Sequence, residues 1–272
     1  MRSAAVLDRV EAAASGQDAD DLLVLWQHPY TREIVPIGRF SRTANGYSFV
    51  YTQAAAEMRD FRPLLGLADL HQRYDSQQIP AVFSQRVMSP SRPDYGEYLA
   101  MLGLSDQEQV TPWEQIVHSG GSRVGDTLQF MRVPVVRDGR AVACFLANGV
   151  RHIPDGPLRL PGREVHVTRE QQEAALEKLR VGDLVLLEPE HGNSADENAI
   201  LLTFEGIPLG WVPRALSSSL RTLVEGDAYR ATVRRVGPPG TPHHLRLVLN
   251  LDVQVPGGFS FDPEGRWVPL IG

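Results

Sequence analysis

Cysteine and lysine are nearly absent from this sequence, and long apolar runs are missing altogether. The single cysteine, Cys144, excludes an intramolecular disulfide and a thiolate metal cluster. No apolar run approaches the roughly 18 residues that a membrane-spanning helix needs. Residues 1–21 carry acidic side chains and no sustained apolar stretch, so they do not resemble a secretory signal. Together these absences predict a cytoplasmic protein with no membrane partner.

The positive charge of the chain is almost entirely arginine, because Lys178 is the only lysine, and the formal net charge is -6. A protein that grips duplex DNA without regard to sequence neutralises many phosphates and is usually basic. The composition therefore argues against a broad duplex-binding surface and leaves room for a small site on a few nucleotides. A hydrophobic content of 42% in 272 residues is sufficient for two globular domains, each with its own core.

Sequence motifs of common catalytic sites are also missing. The chain contains no H-E-x-x-H, no paired C-x-x-C, no Walker loop and no G-x-S-x-G elbow. Its eight histidines are scattered, and the neighbours His243 and His244 lie on a predicted loop, where adjacent side chains usually point in different directions. We therefore expect no enzyme activity, no metal site and no cofactor.

The first half of the sequence predicts a small antiparallel sheet followed by helices. Residues 1–21 are expected to form a short helix or a tail. Three strand-like runs follow, at residues 22–26, 34–40 and 47–51. Asn45-Gly46 predicts a type I′ turn between the last two runs, because both residues tolerate positive φ. Helical patterns then predict one helix that ends at Gly103 and a second at 112–118.

Several segments of this first half form a recognisable series. They read YSFVY, PLLGL, F-x-x-R-V-M, R-P-D-Y-x-E-Y-L-x-M-L-G-L and H-S-G-G-S-R-V-G-D-T-L-Q-F. This series, within residues 22–131, resembles the amino-terminal domain of HipA-type toxin kinases, which implies a domain that interacts with another protein. In those kinases a large catalytic body follows, with a nucleotide-binding lysine and two aspartates. Only residues 132–272, with a single lysine, follow here, so we expect no kinase activity.

The second half predicts an α+β domain built mostly of strands. Residues 132–140 are expected to form a linker and residues 255–272 a C-terminal tail, with the domain at 141–254 between them. The predicted elements are strands at 142–146, 184–187, 199–204, 207–212, 229–236 and 245–253 and helices at 170–179 and 215–223. This arrangement suits a small, partly open β-barrel of the OB-like kind.

Residues 184–214 hold the most specific pattern in the chain. An E-P pair ends a strand, N-x-x-D-x-N-A-I forms a polar loop and the next strand, and a turn at Glu205-Gly206 leads into L-G-W-V-P-R. This order resembles the HIRAN domain family, over about residues 141–254. The resemblance implies a domain that binds single-stranded DNA and captures its free 3′ end, with polar residues on the terminal hydroxyl and aromatic rings against the bases. Trp211, inside the last motif, is assigned to the core.

Six candidate DNA-binding residues are carried over by motif: Arg151, His152, Asn193, Asp196, Asn198 and Arg214. A carboxylate accepts a hydrogen bond from a 3′ hydroxyl and repels a 3′ phosphate, whereas an arginine offers a planar donor to phosphate. Asp196 and Asn198 have a second interpretation, as residues that satisfy the backbone of a tight loop, and the two roles can coexist. Arg151 and Arg214 also fit a role as solvated surface charges.

The chain departs from the family pattern at three of its positions. Ala195 replaces the usual aromatic before the aspartate, and Ser194 replaces the usual proline. His152 stands where an aromatic normally follows the arginine. One stacking platform is lost and another weakened, so weak DNA affinity and a pocket turned to another ligand both remain open interpretations.

The leading hypothesis is therefore a non-enzymatic protein that recognises single-stranded DNA ends. Its first domain would couple this recognition to a protein partner, in DNA repair or in defence against foreign DNA. The competing hypothesis is a regulator or antitoxin, in which the HipA-like domain binds a separately encoded kinase or its partner and the second domain is structural.

Overall fold

The computed structural model describes residues 21–104, 110–123, 125–226 and 228–271. These residues form antiparallel sheets with few and short helices, which confirms the predicted α+β class. The helix or tail predicted at 1–21 lies outside the described residues except for Asp21, which begins the first strand. Among the described helices, none has the length and apolar character needed to cross a membrane.

The described chain divides into two compact units. The N-terminal unit contains residues 21–133 together with 262–271, and the C-terminal unit contains residues 134–261. The last residues of the chain thus belong to the same unit as the first described ones.

The N-terminal unit is built on a five-stranded sheet in the order β4-β3-β2-β1-β5. Its strands are β1 (Asp21–Gln27), β2 (Ile34–Thr43), β3 (Gly46–Tyr51), β4 (Tyr74–Ser76) and β5 (Leu128–Arg132). Its helices are α1 (Gln53–Glu57), α2 (Ala81–Ser84), α3 (Tyr95–Leu102) and α4 (Pro112–Ser119). β1, β2 and β3 pair as an antiparallel meander, which confirms the three strands predicted at 22–26, 34–40 and 47–51.

The turn between β2 and β3 differs from the prediction. Thr43 pairs with Gly46, so Ala44 and Asn45 form the tip of the hairpin. Asn45 is not among the described residues with positive φ, so the predicted type I′ turn at Asn45-Gly46 is wrong. The pairing of Arg42 with Tyr47 fixes the strand register, and the tip adapts to that register rather than to the intrinsic preference of Asn-Gly.

Buried aromatic rings fill the core of this unit. Phe40 is fully buried, and its ring centroid lies 4.9 Å from that of Phe83 and 5.2 Å from that of Trp113. Tyr51 is also fully buried, and its hydroxyl donates to the carbonyl of Leu67 at 2.7 Å. Burial of rings of this size makes a large contribution to the stability of this unit.

The C-terminal unit contains a seven-stranded antiparallel sheet in the order β12-β11-β10-β13-β14-β7-β6 and a separate hairpin of β8 and β9. Its strands are β6 (Val135–Arg137), β7 (Arg140–Leu146), β8 (Leu158–Leu160), β9 (Arg163–Val165), β10 (Leu184–Pro189), β11 (Ile200–Phe204), β12 (Ile207–Trp211), β13 (Tyr229–Val236) and β14 (Leu247–Gln254). Its helices are α5 (Arg169–Lys178) and α6 (Arg214–Leu220), with 3-10 turns at Val150–Asp155 and His243–Leu245.

Two parts of this unit were not expected from the sequence. The segment interpreted as a linker, 132–140, contains β6, which pairs with β7 across a two-residue turn. The β8-β9 hairpin packs Leu158 and Leu160 into a small cluster with Leu201 of β11. In contrast, the predicted turn at Glu205-Gly206 is confirmed, because Phe204 pairs with Ile207.

Candidate nucleic-acid interface

Trp211, at the end of β12, connects the two segments that carry the predicted DNA-binding residues. Its backbone N–H donates to the carbonyl of Asn148, and the N–H of Asn148 donates to the carbonyl of Trp211, both at 2.8 Å. This reciprocal pair places the start of the Val150–Asp155 turn beside β12. Trp211 was predicted to be a core residue; it is half-buried, and its ring packs against the cluster around Ile153.

Gly149 and Gln172 hold the turn in place against Trp211. Gly149 has φ of 64°, and a Cβ atom there would lie 2.5 Å from the indole ring, so both its conformation and its close approach require glycine. The buried Gln172 of α5 donates from Nε2 to the carbonyl of Val150 at 2.8 Å and to that of Leu209 at 3.0 Å. One side chain thereby ties the turn to β12.

Glu190 links Trp211 to the polar loop that follows β10, which we call the 190–198 loop. This glutamate is 5% exposed, and its Oε2 atom accepts from the indole Nε1 of Trp211 at 2.7 Å. The same oxygen accepts from Nδ2 of Asn193 at 2.6 Å. Both candidate segments therefore contact the same indole, one at its ring and the other at its N–H.

The base of the 190–198 loop is closed by main-chain and side-chain bonds. The N–H of Glu190 donates to the carbonyl of Ala199 at 2.8 Å. Arg221, which follows α6, donates from Nη1 to the carbonyl of Glu190 at 3.0 Å and to that of Ala199 at 2.5 Å. Because one guanidinium bridges these two carbonyls, it fixes the distance between the two ends of the loop.

Asn193 and Asp196 shape the loop itself. The side-chain oxygen of Asn193 accepts the N–H groups of Ala195 and Asp196 at 2.9 and 3.1 Å. Oδ1 of Asp196 in turn accepts the N–H of Asn198 at 2.9 Å. Asp196 thus satisfies the loop backbone, as its second interpretation expected, and Asn193, for which the sequence suggested only a binding role, does the same. Asn198 is half-buried, and its side chain donates to none of the residues that the structure describes.

Ser217 connects Asp196 to α6. Ser217 is 1% exposed. Its hydroxyl lies 2.8 Å from Oδ2 of Asp196 and 3.1 Å from the carbonyl of Arg214. Arg214 is half-buried and is the first residue of α6. One carboxylate oxygen of Asp196 thus accepts from the loop backbone, and the other contacts α6, the helix that begins at Arg214.

Arg151 and His152 form a chain of contacts with Asp155 on the exposed side of their turn. Nε of Arg151 donates to Nε2 of His152 at 2.9 Å, and Nδ1 of His152 lies 2.7 Å from Oδ2 of Asp155. Because an arginine nitrogen only donates, Nε2 of His152 is the acceptor and the ring proton is on Nδ1. Both ring nitrogens are therefore engaged, and the part of His152 that remains for a ligand is its ring face.

The turn that carries Arg151 and His152 and the loop that carries Asn193 and Asp196 thus both connect to Trp211. Sequence reasoning missed Glu190, Gln172, Ser217 and Arg221, which connect the parts. Glu190 directly follows the E-P pair, and it is the one carboxylate between that pair and Asn193 to which no role was assigned. That position could have identified it. The other three had no local signal, because their partners are distant in sequence.

A second 3-10 turn lies beside the Val150–Asp155 turn. The His243–Leu245 turn contacts the Val150–Asp155 turn. Burial lowers the pKa of His244 below its usual range, and the neighbouring His243 acts in the same direction. Within the described part of the chain, no group of three or more His, Cys, Asp or Glu side chains could hold a metal ion.

Comparison with known proteins adds little to this site. No family model matches the chain, and no curated protein matches it. A crystal structure of a protein from Lactobacillus plantarum, determined as a structural genomics target, is 27% identical over 42% of this chain and 97% of that chain. Its TM-score is 0.30, so the likeness does not bear on fold or function.

Proposed function

We propose that the C-terminal unit binds single-stranded DNA and holds a free 3′ end, and that the protein is not an enzyme. The N-terminal unit would bind a protein partner and couple it to the DNA end, in repair or in defence against foreign DNA. The observation that carries the proposal is the convergence on Trp211: the Arg151 turn packs on its ring, and the loop of Asp196 is bonded to its indole N–H through Glu190.

The chemistry of Asp196 suits a terminal hydroxyl. A carboxylate offers about four acceptor positions, and the described partners, Ser217 and the N–H of Asn198, use two of them. The remaining lone pairs can accept from a 3′ hydroxyl. A 3′ phosphate in the same place would bring two negative groups together, which gives selection between ends.

The chemistry of the Arg151 turn suits the sugar-phosphate backbone and a base. Arg151 is exposed, and among the described residues its side chain donates only through Nε, to His152. Its two Nη groups are available to a phosphate. The exposed ring of His152 can stack on a base, although with less surface than the tyrosine usual in the family. Ala195 offers no ring, so we expect modest affinity.

The proposal includes the finer description of the fold as an OB-like, partly open barrel. The order of the sheet supports this description, because β12 is the strand at one edge and β7 lies next to the strand at the other edge. The reciprocal Asn148 and Trp211 pair joins the end of β12 to the chain directly after β7. A sheet whose distant strands meet at one point in this way has the curvature that such folds use to bind short strands.

The test is a fluorescence-anisotropy titration of a short single-stranded oligonucleotide at fixed low salt, with a 3′ hydroxyl or a 3′ phosphate. Wild-type protein should prefer the hydroxyl. Asp196→Ala should remove that preference, because the group that distinguishes the two ends is gone. Glu197→Ala is the matched control, since it removes an exposed negative charge from the next position of the same loop.

Two outcomes would reject end recognition. Equal binding of both oligonucleotides by the wild type would show a site without end selection. Absence of binding to either would show that the substitutions at Ala195 and His152 have left no DNA site, and the regulator hypothesis would then lead.

The alternative, a regulator that binds a separately encoded kinase or its partner through the N-terminal unit, has one observation in its favour. An open cleft of about 530 Å³ lies along the edge strand β4, lined in part by Leu65, Tyr74 and Ala81. Leu65 is 86% exposed, so its side chain is accessible to a partner at this cleft. Purified HipA-type kinase lacking its own amino-terminal domain should bind the wild type and not Leu65→Glu if this alternative holds.

A further inference from the structure

His191 and Gly192 follow Glu190 in the 190–198 loop. Both are exposed, and they directly precede Asn193. Two arginines from different elements approach them: Arg159 from β8 and Arg221 from the segment after α6.

Arg159 lies across Gly192. The carbonyl of Arg159 accepts the N–H of His191 at 2.8 Å, which fixes β8 beside the loop. A Cβ atom on Gly192 would lie 3.2 Å from Nη1 of Arg159, and Gly192 has φ of 70°. Glycine therefore allows the loop to turn and the guanidinium to lie close above it.

The donors of Arg159 are mostly unused within the described part of the chain. Its side chain is 63% exposed, and its one described ion pair joins Nε to Oε2 of Glu164 at 3.4 Å. Such an exposed pair is weak, and it leaves both Nη groups without a described acceptor. Glu190 does not compete, because its carboxylate is buried and bonded to Trp211 and Asn193.

His191, the residue before Gly192, offers one more donor. Nη2 of Arg221 lies 3.4 Å from Nδ1 of His191. A guanidinium only donates, so Nδ1 is the acceptor and the ring proton is on Nε2. No described residue accepts from this N–H, and the ring is exposed.

We propose that Arg159 and His191 form a phosphate subsite for the strand whose 3′ end reaches Asp196. The proposal rests on the proposed function and extends it with two residues outside the matched motif. Arg221 is a positioning residue, which clamps the loop and orients the His191 ring. The ligand is a phosphodiester of the bound strand, and a free inorganic phosphate is the other source of the same chemistry.

The test measures how the affinity for a 3′-hydroxyl oligonucleotide depends on salt, for wild type, Arg159→Ala and His191→Ala. The slope of log K against log salt is negative. Loss of one phosphate contact on a single strand should reduce its magnitude by about 0.7. We expect Arg159→Ala to show that change and about a fivefold weaker affinity at low salt. Arg230→Ala is the matched control, because it removes an exposed arginine from β13.

A second arm locates the phosphate. Oligonucleotides with one neutral methylphosphonate linkage, placed at each position in turn, should bind the wild type less well at one linkage. Arg159→Ala should be insensitive to the substitution at that linkage. Competition by inorganic phosphate at constant ionic strength, with no sensitive linkage, would identify a free-anion site and overturn the proposal.

The outcomes separate this inference from the proposed function. If the wild type binds with 3′-end preference but Arg159→Ala and His191→Ala keep its slope and affinity, the subsite is rejected and end recognition stands. If Arg159→Ala lowers the slope while Asp196→Ala changes nothing, the subsite stands and end recognition is rejected. If the wild type binds no oligonucleotide, both are rejected.

Discussion

The indole Nε1 of Trp211 and Oε2 of Glu190 are 2.7 Å apart, and the same oxygen accepts from Asn193 at 2.6 Å. One buried carboxylate oxygen thus fixes the loop that holds Asp196 to the strand against which the Arg151 turn packs. Loss of this oxygen should disturb the geometry of the candidate site from its centre.

Glu190→Ala should lower the free energy of unfolding of the C-terminal unit by about 1 to 3 kcal/mol, because two donors lose their acceptor. Glu190→Gln keeps an acceptor oxygen and should cost less. Urea denaturation followed by tryptophan fluorescence measures both, with Glu197→Ala as an exposed control. Equal stability of Glu190→Ala and wild type would contradict the linking role.

His152 should carry its ring proton on Nδ1, since Nε2 accepts from Arg151 and Nδ1 faces Asp155. Long-range ¹H–¹⁵N spectra of the imidazole at alkaline pH, where the ring is neutral, identify the tautomer directly. Asp155→Asn should shift the population toward the other tautomer, because the charged acceptor is lost. A predominant Nε2–H form in the wild type would mean that the Arg151 contact does not persist in solution.

Tyr51 should make the N-terminal unit less stable at high pH. Burial raises the pKa of its hydroxyl from 10.0 to about 12. The unfolded chain therefore loses this proton at lower pH than the folded one, so stability is full below pH 10 and falls as the pH rises through about 12. The slope should approach about 1.4 kcal/mol per pH unit within that window.

Tyr51→Phe provides the comparison for this pH effect. It should lack this component of the alkaline loss. It should also be about 1 to 3 kcal/mol less stable at neutral pH, because the N–H of Leu64 and the carbonyl of Leu67 lose their partner. Parallel pH profiles for the two proteins would exclude Tyr51 as the titrating group.

Removal of residues 262–272 should destabilise the N-terminal unit by roughly 1.5 to 4.5 kcal/mol, at about 0.5 to 1.5 kcal/mol for each of the three hydrogen bonds lost. The carbonyls of Val268 and Arg266 accept the first two N–H groups of α1, from Gln53 and Ala54, at 2.9 and 3.1 Å. The N–H of Leu270 donates to the carbonyl of Tyr51 at 2.8 Å.

Hydrogen exchange offers the local measurement of this loss. The amides of Gln53 and Ala54 should lose protection in the truncated protein, because their acceptors are gone. Arg266→Ala is the control: it keeps the backbone carbonyl and removes the ion pair between the half-buried Arg266 and the exposed Glu57, so protection should be retained. Unchanged protection after truncation would show that the tail does not cap α1 in solution.

The α+β class, most strands of both units and the existence of the 190–198 loop were predictable from the sequence. These features depend on side-chain alternation and turn chemistry within a few residues, which can be read along the chain. The turn at Glu205-Gly206 was correct for that reason. Asn45-Gly46 correctly predicted a hairpin between β2 and β3 but not its turn type, because the strand register places Ala44 and Asn45 at the tip.

Only the tertiary structure decided which segments meet. The pairing of Asn148 with Trp211, the Gln172 bridge and the return of residues 262–271 to the first unit join positions far apart in sequence. The pattern around each position is compatible with many partners, so the sequence leaves the choice open. Long-range packing makes that choice because buried polar groups such as Glu190 and Gln172 must find partners wherever the fold places them.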